Sequence, residues 1–137
     1  MSSELQAFAN GFPLALLHAG ISLALLALGC VLHAVLSPYK EVEQIREGNA
    51  AAAIAFGGVI FGLAGPLAVS LNASTSALEI AVWGLAVVVI QLLVFRLIDV
   101  LLAGLPQRVR EGESAAAALL VAAKLAAAMI FAAALAG

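Results

Sequence analysis

The chain has 137 residues, of which 65% are hydrophobic and 10% are charged, whereas soluble proteins average about 25% charged residues. This composition excludes an ordinary soluble domain and is typical of a protein embedded in the lipid bilayer. Six basic and eight acidic side chains give a formal charge of -2, which leaves no cationic surface for nucleic acid, so nucleic-acid binding is excluded as well.

Four long apolar stretches predict four transmembrane helices. A helix crosses about 30 Å of hydrocarbon with about 20 residues, and each stretch reaches that length. None shows the alternation of apolar and polar residues that marks the strands of a membrane barrel. The predicted fold is therefore an all-α membrane protein that forms one domain over residues 1–137. The stretches cover residues 12–36, 50–71, 78–102 and 114–136.

The first predicted helix carries both histidines of the chain and its one cysteine. Residues 1–11 contain Glu4 and no basic residue, unlike a secretory signal peptide, so we expect this segment to be retained. His18 and His33 lie 15 residues apart, about 22 Å along a helix, which is too far for one metal ion. We expect each to make an interhelical hydrogen bond. The lone Cys30 provides neither a disulfide nor a Cys-based metal site within the chain.

The connections after the first and third helices, residues 37–49 and 103–113, are both charged. In the first, acidic and basic residues at helical spacing after Pro38 predict a short interfacial helix that begins at that proline. Two interpretations stay open: a docking surface for a cytoplasmic partner, or solvated turns whose charges set the orientation. The candidate docking residues are Lys40, Glu43, Arg46 and Glu47 in the first loop and Arg108, Arg110 and Glu111 in the second.

The basic residues outside the predicted helices indicate the orientation of the chain. All four lie in these two loops, and none lies in the N-terminal tail, in residues 72–77 or at the C-terminus. By the positive-inside rule we expect both loops to face the cytoplasm and both termini to face the periplasm.

The same loops contain an internal repeat. IREGN at 45–49 recurs 64 residues later as VREGE at 109–113, and small residues follow both copies. Each copy has a helix, a charged loop and a returning helix, so we predict two tandem helical hairpins, about 12–71 and about 78–136. Both loops face the same side, which makes this a parallel duplication and not the inverted repeat of many secondary transporters.

Small residues predict where the helices pack. Gly58 and Gly62 form a GxxxG pair in the second helix, a spacing that lets helix backbones approach closely in a bilayer. Pro66 is predicted to kink this helix and to free backbone groups that a neighbour must satisfy. Because the fourth helix is rich in alanine and carries Lys124, we expect it at the bundle centre or against a neighbouring copy of the chain. Its small-residue positions are Ala118, Ala122 and Ala126.

Polar residues near the bilayer centre are functional candidates, because each charge costs about 2.5 to 3.5 kcal/mol to insert. Lys124 and Gln91 are predicted near the midplane, with Arg96 and Asp99 nearer the cytoplasm. Side chains lean toward the N-terminus of their helix, so Asp99 can neutralise Lys124, Arg96 or both. These residues form either an ion-conducting polar seam between the third and fourth helices, with His18 as a further member, or a set of paired and snorkelling structural groups.

Five short motifs occur in a specific order along the chain. They are SPYKE at 37–41, IREGN at 45–49, GPLA at 65–68, AVWG at 81–84 and QLL at 91–93. This order resembles the domain of unknown function 350 family, also described as YjfL-like inner-membrane proteins. The resemblance implies a multi-pass protein of the bacterial inner membrane, with no established activity and an association with envelope stress. Glu113, residues 132–134 and Lys124 depart from the family pattern.

Two functions remain as hypotheses. No Ser-His-Asp constellation or Gly-rich phosphate loop can be assembled, so we expect no enzyme, no cofactor and no metal site. The first hypothesis is a homo-oligomeric membrane component that docks a cytoplasmic envelope-stress partner on its two charged loops. The second is a small ion or proton channel or carrier that uses the polar seam.

Overall fold

The computed structural model describes residues 2–137, and every regular element in that range is a helix. The four predicted transmembrane helices are confirmed as helices that are long and apolar enough to span a membrane. Two further helices of six residues lie in the charged loops. In chain order the helices are α1 Ser3–Leu36, α2 Glu41–Arg46, α3 Ala50–Ala73, α4 Ala77–Leu101, α5 Leu105–Arg110 and α6 Ser114–Ala136.

The first helix is longer than its sequence pattern predicts, because it begins at Ser3 and not at Phe12. The hydroxyl of Ser2 accepts a hydrogen bond from the backbone N–H of Leu5 at 3.3 Å and caps the helix. The rings of Phe8 and Phe12 then stack with their centroids 4.8 Å apart. With 34 residues α1 is about 51 Å long, more than the hydrocarbon thickness of about 30 Å. Apolar length detects a membrane span, but not the helical turns that precede it.

Each charged loop contains a short helix followed by a glycine with a positive φ. The predicted start of the first short helix at Pro38 is wrong, because α2 begins at Glu41 after a turn in which Lys40 adopts φ 54. α5 is a helix that the sequence pattern did not indicate. Gly48 at φ 92 and Gly112 at φ 90 then turn the chain into α3 and α6, a conformation in which a Cβ is strained.

The central helix is α3, which contacts each of the other five helices. A Cβ added at Gly58 would lie 2.8 Å from Cγ2 of Val121 in α6. A Cβ added at Gly62 would lie 2.7 Å from Cζ of Phe95 in α4. Neither position has room for a side chain, so these two glycines let α6 and α4 approach two faces of α3. Within the chain, the fourth long helix, α6, packs against α3, α4 and α5.

Within the chain, α6 packs through a different face from the one expected. The small residues predicted to form its packing surface are exposed, and the buried residues are spaced three or four apart on another face. Because this face of α6 turns inward, Lys124 lies inside the bundle, where its charge is paired within the protein and does not face lipid. The exposed residues are Ala118, Ala122 and Ala126, and the buried ones are Ala116, Ala117, Leu120, Lys124 and Ala128.

Both charged loops lie at one end of the bundle, which we call the loop end. The side-chain amide of Asn49 donates hydrogen bonds to the backbone carbonyls of Val109 at 3.0 Å and Arg110 at 3.1 Å, so it joins the first loop to α5. Gly137 lies at the opposite end, where it lines a cavity of about 370 Å³ together with Glu79 of α4.

Candidate functional site

A buried ion pair joins α4 to α6 near the loop end. The ammonium Nζ of Lys124 lies 3.0 Å from Oδ1 of Asp99, and these side chains are only 5% and 4% exposed. The same Nζ lies 5.7 Å from the centroid of the Phe95 ring, within the range of a cation–π interaction. Lys124 is thus neutralised by one carboxylate and covered by one aromatic face.

Arg96 does not belong to this ion pair. The sequence left open whether Asp99 neutralises Arg96, Lys124 or both, and within residues 2–137 the ion pair of Asp99 is with Lys124. Arg96 is half-buried and makes no ion pair there. Its long side chain and partial exposure fit a cation whose charge points outward from the bundle.

Gln91 satisfies a backbone group that Pro66 leaves free. A proline at position 66 has no N–H to donate to the carbonyl four residues earlier, which is that of Gly62. The side-chain amide of Gln91 donates to this carbonyl at 2.7 Å. Gln91 is fully buried, and Phe95 lies one turn further along α4, between Gln91 and the ion pair. The contact therefore assigns Gln91 a role in helix packing, apart from the charged residues.

A second polar pair lies beside the ion pair. It confirms the interhelical hydrogen bond expected for His33, although its partner, Glu41, was not predicted. Nε2 of His33 in α1 lies 3.3 Å from Oε1 of Glu41 in α2, and their side chains are 3% and 10% exposed. The other carboxylate oxygen of Glu41, Oε2, is buried and has no hydrogen-bond partner in the part of the chain described. Nothing in the local sequence pattern indicates that α2 turns its first residue, Glu41, inward.

The surroundings of Glu41 change its acidity in two opposing ways. Burial raises the pKa of its carboxyl. The hydrogen bond to His33 and the charge of that imidazole, together with the nearby Ser37 hydroxyl, lower this pKa by more, so that it lies below its usual value. The carboxyl is therefore held in its ionised form, although it is nine-tenths buried.

His33, Glu41, Asp99 and Lys124 together form what we call the charged cluster. Glu41, Asp99 and Lys124 line one small cavity of about 10 Å³, which is room for about one water molecule. The remaining lining residues are Tyr39, Gln44, Ala55, Pro106, Val109 and Leu120.

The charged cluster is confined to the loop end. Towards the opposite end of the bundle, the core is mainly apolar and contains two groups of buried apolar side chains, and its buried polar residues are Gln91 and Ser70. His18 precedes His33 in α1 by 15 residues, about 22 Å, so it does not reach the cluster. The predicted seam is thus a local site and not a polar path across the bundle. The apolar groups are Val59, Leu63 and Phe95, and then Leu67, Val87 and Val88.

The candidate docking residues of the two loops are exposed at the loop end. Arg108 and Glu113 form an ion pair with each other, in which Nε of Arg108 donates to Oε2 of Glu113 at 2.7 Å. This bond and the opposite charge raise the pKa of Arg108 and lower the pKa of Glu113. Glu113 therefore neutralises one of the loop arginines.

A polar groove of about 390 Å³ opens between the two loops, and we call it the loop groove. Of the candidate docking residues, Glu47, Arg110 and Glu111 line it, whereas Lys40, Glu43, Arg46 and Arg108 lie outside. The other lining residues are Gln44, Gly48, Asn49, Ala50 and Gly112.

Comparison with known proteins gives matches over most of the chain. The sequence model of the family described as Domain of Unknown Function (DUF350) matches residues 7–135. Two curated relatives, each described as "UPF0719 inner membrane protein YjfL", come from Escherichia coli strain K12 and Escherichia coli O157:H7. Each is 28% identical over 96 residues, which cover 70% of this chain and 73% of the relative. No solved structure gives a significant match.

Proposed function

We propose a function for this chain from the premise that it belongs to the DUF350 family, as its motifs indicated. It is a non-enzymatic multi-pass protein of the bacterial inner membrane, and it docks a cytoplasmic partner. The single observation that carries this proposal is the loop groove between the two loops. These loops are 60 residues apart in sequence, and the hydrogen bonds of Asn49 join them into one surface. The support for the inner membrane is the description of the relatives and the four apolar helices.

The loop end is the cytoplasmic end in this proposal, and both chain termini are periplasmic. The support is that Lys40, Arg46, Arg108 and Arg110 all lie in the two loops, as the positive-inside rule requires of cytoplasmic segments. Trp83, which is exposed near the opposite end, suits the aromatic belt of the outer leaflet.

The two loops form this surface because they belong to two parallel copies of one hairpin. In support, each half of the chain has a long helix, a six-residue helix, a glycine with φ close to 90° and a second long helix. Both short helices also lie at the same end of the bundle. A duplicated hairpin presents two similar loops side by side, and a groove between them follows from that symmetry.

The partner is a cytoplasmic protein that offers a polar segment with charges complementary to the groove. Glu47 and Glu111 supply two carboxylates and Arg110 one guanidinium, and the loop backbone at Gly48 and Gly112 is open because neither residue has a side chain. The family resemblance supports a partner from the envelope-stress response.

Charge reversal in the groove tests the docking proposal. The variant Glu47→Lys/Arg110→Glu/Glu111→Lys should lose a partner that co-purifies with the wild type after mild detergent extraction, while its insertion and helix content stay unchanged. The matched control Glu43→Lys/Arg46→Glu reverses charges of the same loop that lie outside the groove, so it should retain the partner. Equal loss in both variants, or no partner with the wild type, contradicts the proposal.

Self-association through α6 completes the first proposal. Ala118, Ala122 and Ala126 form an exposed stripe of small residues, which in a bilayer permits close approach of a helix from a second copy. Ala122→Phe should shift the protein from oligomer to monomer in lipid nanodiscs, measured by cross-linking and mass photometry. Ala86→Phe, at an exposed position on α4, is the control and should leave the oligomer intact. A protein that is monomeric without any substitution refutes this part.

A second candidate function is a small ion or proton carrier, and the buried Asp99–Lys124 pair favours it. Ionisable residues within membrane helices are rare and often serve ion pathways. In proteoliposomes the wild type should dissipate a proton or Na⁺ gradient, and the neutral double variant Asp99→Asn/Lys124→Gln should not. Arg96→Gln, which removes a charge outside the pair, should behave as the wild type does. Liposomes that stay tight with the wild type at every pH tested would exclude this function.

A further inference from the structure

We propose that His33 and Glu41 hold one exchangeable proton at a buried site beneath α2, next to the Asp99–Lys124 pair. This inference deepens the second candidate function and rests on it for any transport role, because it names the proton as the ligand and the His33–Glu41 pair as the site that holds it. Proton binding itself requires no transport, so the two can be tested separately.

The charges of the cluster leave room for one proton. Glu41 and Asp99 contribute two negative charges, Lys124 contributes one positive charge, and His33 is the fourth ionisable group. With a neutral imidazole, the cluster has one negative charge in excess. Burying a net charge is unfavourable, and one proton taken from water at the loop end makes the cluster neutral.

The geometry of Glu41 gives this proton two oxygens to bind. Oε1 lies 3.3 Å from Nε2 of His33, so a proton on that nitrogen is shared with the carboxylate. Oε2 is buried without a hydrogen-bond donor, although an ionised oxygen in such a position loses its hydration with no compensation. A proton on the imidazole offsets the charge of this buried carboxylate, and deprotonation returns the proton to water.

The groups that face Glu41 favour a proton over a metal ion. A hard metal cation takes about six or more oxygen ligands, whereas the ammonium of Lys124 already lies on Asp99 and Glu41 offers one free oxygen. The adjoining cavity of about 10 Å³ admits one water molecule, which suits proton entry.

The neighbouring elements add few other ionisable groups. α3 and α5 present only apolar side chains to the cavity. The titratable and charged groups that face Glu41 from each packed element are His33 of α1, Tyr39 of the preceding turn, Asp99 of α4 and Lys124 of α6.

The site is tested by following the carboxyl and imidazole groups in lipid nanodiscs. Infrared difference spectra between acidic and neutral pH report protonation of a buried carboxyl group, and ¹⁵N NMR of labelled histidine reports His33, with His18 as an internal reference. In the wild type, a buried carboxyl band should appear only as the pH falls below the usual carboxyl range, and the ¹⁵N signals of His33 should shift with that band, because the imidazole then loses its ionised partner. Glu41→Gln should lose the band and the coupled change, whereas the control Glu43→Gln, at an exposed position of α2, should retain both.

A second variant keeps the test decisive if Glu41→Gln does not fold. Because His33 lowers the pKa of Glu41, His33→Gln should move the carboxyl band to higher pH, by about one to three pH units. A band that is identical in the wild type and both variants, or His33 signals that change independently of the band, overturns the site.

Proteoliposome flux separates this inference from the function on which it rests. If the band depends on Glu41 but the liposomes stay tight, the carrier function fails and the proton site stands. If flux requires the Asp99–Lys124 pair but Glu41→Gln conducts as the wild type does, the carrier function stands and the proton site fails.

Discussion

Removal of one member of the Asp99–Lys124 pair should destabilise the fold far more than removal of both. The two side chains are only 4% and 5% exposed, and Nζ lies 3.0 Å from Oδ1. Asp99→Asn leaves a buried ammonium without a counter-charge, and Lys124→Met leaves a buried carboxylate. Each single change should therefore cost about 3 to 5 kcal/mol of unfolding free energy. The double variant contains neither charge and should lie close to the wild type, because a buried ion pair is often replaced by neutral groups without loss.

A double-mutant cycle measures this coupling directly. Unfolding free energies are obtained by titrating mixed micelles with a denaturing detergent while the helix content is followed by circular dichroism. Arg96→Gln is the matched control, because this half-buried arginine has no ion-pair partner among residues 2–137, and it should change the unfolding free energy by less than about 0.5 kcal/mol. The reasoning is refuted if the two single effects simply add in the double variant.

Three further changes probe packing, loop contact and pH dependence. Gly62→Ala should destabilise the protein by about 1 to 3 kcal/mol, because the added Cβ would lie 2.7 Å from Phe95. Gly65→Ala is the control, because its Cβ meets nothing within 4 Å and should be tolerated. Equal thermal shifts for the two variants would contradict this packing. Asn49→Ala removes the N-cap of α3 and the two hydrogen bonds to α5, so it should lower the unfolding free energy by about 1 to 2 kcal/mol. Hydrogen exchange in α5 should also become faster. Unchanged exchange would disprove the link between the loops. Because the pKa of Glu41 lies below its usual value of 4.5, its ionised form stabilises the folded state above that pH, and this contribution is lost as the pH falls through the lower folded-state value. Protection of α2 from hydrogen exchange, corrected for the intrinsic pH dependence of amide exchange, should therefore fall on acidification in the wild type and not in Glu41→Gln.

Part of the candidate site could be predicted because it depends on depth along a helix. Rise per residue places Asp99 and Lys124 within reach of each other across α4 and α6, and the structure joins them. The same reasoning could not find Glu41, because the direction of α2 depends on the turn after α1 and on its contacts with α3. Gln91 was assigned to the right depth, but its partner follows from the packing of α4 beside Pro66 of another helix.

The sequence by itself determined the four long helices, their approximate spans and the family, since hydrophobic length and motif order are local properties of the chain. Only the tertiary structure decided which face of each helix turns inward. In a bilayer both the lipid and the protein interior are apolar, so hydrophobicity does not specify the rotation of a helix about its axis. That rotation is decided by close approach at glycines and by the need of buried polar groups for partners. This is why the alanines at 118, 122 and 126 are exposed on α6, while Lys124 on the same helix is buried against Asp99.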